Sequence, residues 1–151
     1  MSKIVFLDVD GTLIDYEAKL PASAAKAVDQ ARANDHKVYI CTGCSKAEIL
    51  QRNLCDLDGM IGGNGAYVED NNHVVMHQGL LSQFCTINKD VKNIVDWCNE
   101  RHIGFYLEAN SGMYCNDYML EQGPETMVKY AKGKGASLEN AKSSAQHFID
   151  G

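Results

Sequence analysis

The chain has 151 residues, enough for one domain or two small ones, and its 45% hydrophobic and 23% charged residues are ordinary for a globular protein. A net charge of −6 with scattered basic residues argues against nucleic acid or an anionic membrane as partner, and no apolar run reaches the length of a membrane span. The N-terminus meets an acid at Asp8, unlike a signal peptide, and six cysteines without such a signal suggest reduced thiols in a cytoplasmic setting.

Residues 3–9 read as a first strand. Their apolar run is too continuous for a one-sided sheet, which predicts a central parallel strand. A loop or short hairpin follows and ends at Pro21. A helix is predicted over 22–33, with Ala24, Ala27, Val28 and Ala31 on one stripe and Asn34 and Asp35 stopping it. KVYIC at 37–41 is a second strand. Ser45 and Glu48 have capping-box spacing, which predicts a helix from there to about Cys55. GMIGGNGAYV at 59–68 holds a third strand, a glycine turn and a further strand, and EDNN at 69–72 turns into HVVMH.

The pattern β-α-β-α-β predicts an α/β fold, a partial Rossmann-like parallel core over 1–79. The character changes near Gly79, so residues 80–151 read as a partial α+β module. There Asn88 can cap a helix with Val91, Ile94, Val95 and Cys98 on its apolar stripe, and GFYLEA at 104–109 pairs with MYCN across an NSG turn. From Leu120 onward two weaker helical patterns flank KGKG at 132–135. Trp97, Tyr106 and Tyr114 read as core or hairpin packing, and Cys55, Cys85, Cys98 and Cys115 as small apolar residues. The five histidines show no metal-ligand spacing.

One feature of this pattern needs a chemical explanation. The first strand ends in Asp8 and Asp10, which alternation sends to the same side, at the carboxyl end of a parallel strand where open α/β sheets bind ligands. A buried carboxylate is costly unless it is paired or holds a metal. Two acids here suit a hard cation such as Mg²⁺, and one of them could attack phosphorus while the other moves the proton.

DVDGTL at 8–13 resembles the first motif of the haloacid-dehalogenase superfamily of phosphohydrolases, and ICTG at 40–43 resembles the second. The resemblance implies Asp8 as nucleophile and Mg²⁺ ligand. It implies Asp10 as general acid/base, with its backbone carbonyl also on Mg²⁺, and Thr42 with the following amide at Gly43 as the phosphate holder. IGGNGAYV at 61–68 resembles the segment closing the first half of the core in the Cof-like branch; Asn64, between Gly63 and Gly65, reads as a turn residue, and by resemblance it could also face the site. Residues 80–118 are similar to the opening of that branch's inserted cap. The implied activity is Mg²⁺-dependent hydrolysis of small phosphorylated metabolites through an aspartyl-phosphate.

Two departures stand out. The branch usually reads T-G-R where this chain has Thr42, Gly43 and Cys44, so a bidentate grip on phosphate is lost at position 44. No G-D-x-x-x-D segment completes the acidic set, and KGKGASL at 132–138, with Lys134, is only superficially like the family's lysine motif. The expectation is therefore an N-terminal part of a longer phosphatase. It would have an open sheet edge that favours self-association, and little or no turnover by itself. The alternative from a different class is a non-catalytic interaction module that keeps part of the fold. Cys41-Thr42-Gly43-Cys44 also has redox-pair spacing, although Thr42 and Gly43 already have a role. A phosphoacceptor receiver domain would need a further acid at the end of the third strand, which MIGGNG at 60–65 does not offer.

Overall fold

The apolar run at the N-terminus forms strand β1 (Ile4–Leu7), and the computed structural model describes the chain over residues 1–15, 17–79 and 87–122. Helix α1 (Ala22–Ala33) and strand β2 (Lys37–Cys41) have the bounds their periodicity predicts. The helix opens directly after Pro21, whose carbonyl accepts from the amides of Ala24 and Ala25. At its end Asp35 takes φ 60°, a left-handed turn that aspartate tolerates, and the His36 amide returns to the Ala31 carbonyl at 3.1 Å.

Helix α2 (Lys46–Gln51) stops well short of Cys55, and a tight turn follows in which the Leu54 amide donates to the Arg52 carbonyl at 2.6 Å. Strand β3 (Gly59–Gly62), a 3₁₀ turn (Gly63–Gly65), strand β4 (Tyr67–Asp70) and strand β5 (Val75–Gln78) complete this part of the chain.

These strands make one sheet in the order β1-β2-β3-β4-β5. The first three run parallel, with Leu7 opposite Ile40 and Cys41 opposite Ile61, and β4 and β5 continue antiparallel. β1 pairs only with β2 among the described residues, which leaves the open sheet edge expected of a partial core. Val5 and Leu7 face α1, while Ile4 and Phe6 on the other face are 61% and 57% exposed. On the covered face the stripe of α1 is mostly alanine, too small to fill the space, and a cavity of about 280 Å³ remains between Ala24, Ala27, Ala31 and Val5, Leu7, Val38.

Two buried carboxylates anchor the sheet. Tyr67 hydroxyl donates to Glu69, whose other oxygen lies 3.1 Å from His73 Nδ1. Asp58, just before β3, accepts from the Val38 amide (3.0 Å), Lys37 Nζ (2.9 Å) and Arg32 Nε (3.2 Å). Burial pushes its pKa up, but the Val38 amide and the two cations outweigh it and hold the carboxyl below its ordinary value.

The chain divides into two compact units, Met1–Ser45 with Arg52–Gly79, and Lys46–Gln51 with Leu80–Gly151. In the second, a π-helical turn (Ile87–Val91) leads into helix α3 (Lys92–Glu100), and strands β6 (Tyr106–Ala109) and β7 (Gly112–Cys115) form a hairpin followed by helix α4 (Asp117–Gln122). Val91 and Val95 pack against Phe105 and Leu107, and Tyr106 packs on Cys115 and Met119. Burial, with the nearby charge of Asp117, pushes the Cys115 thiol pKa up, as suits an inert apolar residue.

Ile94, predicted on the buried stripe, is exposed, and Trp97 is half-exposed under the guanidinium of Arg101, 4.7 Å from the ring centroid. Buried Asn116 caps α4 through the Met119 amide and donates to Asn99 and to the Ile103 carbonyl, so the helix starts before Leu120. Among the described residues no helix is long and apolar enough to cross a membrane. Cys85, the KGKG stretch with Lys134 and the helical patterns around it lie outside the described residues.

Two stability predictions follow from these buried groups. Because the folded pKa of Asp58 is depressed, its contribution is full above the unfolded value of about 3.9 and is lost as the pH falls below that. Asp58→Asn should flatten this acid-side slope, and Asp58→Ala should cost roughly 1–3 kcal/mol at neutral pH in urea titrations. Asn116→Ala should cost a similar 1–3 kcal/mol, because it strips a cap and leaves buried partners unpaired.

Candidate active site

Parallel register brings three strand ends together. With Leu7 beside Ile40 and Cys41 beside Ile61, the residues that follow β1, β2 and β3 leave the sheet along one edge. Asp8 and Asp10 come from the first, Thr42 to Cys44 from the second, and the Gly63–Gly65 turn from the third.

The loop after β1 is wound tightly. The Val9 carbonyl accepts from the amides of Thr12, Leu13 and Ile14, and the Gly11 amide donates to the Ile14 carbonyl at 3.0 Å. Gly11 takes φ 75°, which lets the chain reverse there. Val9 is completely buried while Asp8 and Asp10 on either side are exposed, so alternation survives past the end of the strand. The acids therefore meet solvent at the mouth of the sheet, and the cost of a buried charge expected from the sequence does not arise. Asp8 Oδ2 lies 3.4 Å from the Thr12 hydroxyl.

The loops after β2 and β3 are tied by backbone bonds. Thr42 N donates to the Ile61 carbonyl (2.9 Å), Asn64 N to the Thr42 carbonyl (3.2 Å) and Gly63 N to the Cys44 carbonyl (2.8 Å). Buried Thr42 accepts the Cys44 amide on its hydroxyl oxygen at 3.2 Å, which leaves the hydroxyl proton to donate elsewhere. Asn64 sits in the left-handed region at φ 54°, ψ 34°, and its side chain lies against Gly43. A Cβ at position 43 would stand 3.2 Å from Asn64 Oδ1, a tight contact that a shift of a few tenths of an ångström by the Asn64 side chain would have to relieve. Thr42, Gly43 and Asn64 are thus one cluster.

This cluster is joined to the acids by Cys44. Its thiol lies 3.4 Å from Asp10 Oδ2, and Cys41 and Cys44, one exposed and one buried, form no disulfide. Arg52, which the sequence reading did not single out, completes the contact. Its Nη1 donates to Asp10 Oδ1 at 2.6 Å and its Nη2 lies 3.8 Å from Cys44 Sγ. No spacing rule marks Arg52, because the tight turn after α2 is what carries it to Asp10.

Among the described residues no three His, Cys, Asp or Glu side chains gather around a point. Mg²⁺ does not require that, since it is held by one or two carboxylates together with waters and phosphate oxygens. The donor set fits such an ion at Asp8, a hard, exposed oxygen donor. The Asp10 carboxylate already faces a guanidinium.

Comparison with known proteins identifies the family and the fold. The chain is 30% identical over 77 residues to a Bacillus subtilis (strain 168) protein named "Putative phosphatase YkrA", a match spanning 49% of this chain and 29% of that protein. BT1666 from Bacteroides thetaiotaomicron, a phosphatase of the HAD enzyme superfamily, superposes with a TM-score of 0.66 at 25% identity over 87% of this chain and 47% of its own. The HAD subclass IIB sugar phosphatase BT4131 shares the fold, with a TM-score of 0.65 at 23% identity over 99% of this chain and 54% of its own. The chain thus spans about half the length of these structural relatives. The sequence profile described as haloacid dehalogenase-like hydrolase matches residues 5–149, and with acids, threonine loop and glycine turn on one sheet edge, the chain belongs to that family.

Proposed function

We propose that the chain carries the nucleophile side of a Mg²⁺-dependent phosphomonoesterase, acting through an aspartyl-phosphate on small phosphorylated metabolites in the cytoplasm. One observation carries this reading: the 3.4 Å contact of Cys44 with Asp10 draws the loop after β2 onto the acids after β1. It supports a single pocket at the strand ends, where open α/β sheets take their ligands. The phosphatase names of the relatives point the same way.

In this reading an Asp8 carboxylate oxygen attacks phosphorus, a P–O bond to Asp8 forms, and the ester P–O bond breaks. Asp10, which must enter this step protonated, gives its proton to the departing oxygen and is left as the carboxylate that pairs with Arg52. Water then attacks the aspartyl-phosphate and returns a proton to Asp10, which frees phosphate and restores Asp8. The Thr42 hydroxyl donates to a phosphate oxygen, and Asn64 closes the pocket beside Gly43. When bound, Mg²⁺ would be held by the Asp8 carboxylate and the Asp10 backbone carbonyl, and would neutralise phosphate charge. The unpaired edge of β1 makes self-association an added proposal. In the 151 residues no G-D-x-x-x-D set occurs, so little turnover is expected of this chain alone.

Binding is therefore the proper test. Saturating vanadate with Mg²⁺ should raise the melting temperature by roughly 5 °C or more, as 100-fold excess over Kd contributes about 2.7 kcal/mol. Asp8→Asn should abolish that rise. A non-catalytic interaction module predicts neither result.

A further inference from the structure

Arg52 is an unusual cation for a surface loop. Its side chain is only 9% exposed, while the Asp10 carboxylate it meets is 49% exposed, so the guanidinium lies behind the acid. A buried guanidinium is costly unless its donors are matched. One side is matched, by Nη1 on Asp10 Oδ1. The opposite edge is not: Nε is buried without a partner among the described residues, and Nη2 has only the weak acceptor Cys44 Sγ at 3.8 Å.

In a planar guanidinium the Nε–H and one Nη2–H run parallel, which makes this edge a two-pronged donor. Such a fork matches two oxygens of one oxyanion, and charge-assisted pairs of this kind are about twice as strong as neutral hydrogen bonds. Asp10 does not use it, since its contact is with Nη1. The fork also lies against Cys44, whose amide is held by the Thr42 hydroxyl oxygen.

We infer that Arg52 is an oxyanion-binding residue, whose Nε–Nη2 edge grips two oxygens of a phosphate group while Nη1 stays on Asp10. This rests on the phosphate-handling reading of the site given above. It adds a ligand-contacting residue on the turn after α2, outside the acid, threonine and asparagine positions.

The test is isothermal titration of the 151-residue chain with inorganic phosphate in the presence of Mg²⁺, with far-ultraviolet circular dichroism as a check on folding. Wild-type chain should bind phosphate, and Arg52→Ala should weaken binding by about tenfold or more. Arg52→Lys keeps a charge for Asp10 but has no fork, so it too should lose affinity, by less than Arg52→Ala. Should Arg52→Ala fail to fold, Arg52→Lys decides. Binding in wild type with unchanged affinity in a folded Arg52 variant would overturn the inference and leave the phosphatase reading standing. A fall in melting temperature with phosphate affinity intact would show that Arg52 only braces Asp10, and would overturn it as well. Absence of phosphate binding in wild type would overturn the reading itself and the inference with it.

Discussion

Register between β1, β2 and β3 is the constraint on which the site depends. Parallel pairing sets Leu7 beside Ile40 and Cys41 beside Ile61, so three loops depart from one sheet edge. A slip of one residue in β1 would turn Val9 outward and both acids inward, which would bury two charges and expose an apolar side chain. Val9, fully buried between two exposed acids, therefore adds to the register that the ladder sets. Three backbone bonds tie the segment after β2 to β3 and the turn that follows it, and the Asn64 side chain packs against Gly43.

Charge balance links the loops in a second way. Where the family resemblance implies an arginine, this chain has Cys44, and a thiol can neither neutralise an acid nor fork onto phosphate. The guanidinium of Arg52 lies against that thiol and on Asp10. The positive charge is thus present at the site but reaches it from the turn after α2. Half-exposed Asp10 keeps access to solvent while its partner is buried. Asp8 meets no cation among the described residues, and it is the acid on which the proposed Mg²⁺ site is centred.

Local features were read from sequence where local physics decides them. The small-residue stripe of α1, its stop at Asn34 and Asp35, and the β2 run between clear turns gave bounds that the structure shares. Asp8, Asp10 and Thr42 were singled out because motifs name them, and Asn64 because it stands between the glycines of the turn after the third strand. Arg52 was not, because nothing in its neighbourhood predicts that α2 ends at Gln51 and that the next residue turns toward Asp10. The continuous apolar run of β1 reads as a strand meant for cover on both faces, and Ile4 and Phe6 stand exposed as expected of a partial core. Ile94 misled because a stripe at helical spacing is wider than the strip actually covered by Phe105 and Leu107. The cap of α4 needed Asn116, whose partners Asn99 and Ile103 are distant in sequence.

The most direct test of the central claim is ¹⁹F nuclear magnetic resonance of the chain with beryllium fluoride, with and without Mg²⁺. Beryllofluoride mimics a phosphoryl group on a carboxylate, so a site built around Asp8 predicts bound fluoride resonances that need Mg²⁺ and vanish in Asp8→Asn. No bound resonance in the folded wild-type chain, or one that persists in Asp8→Asn, would contradict the account.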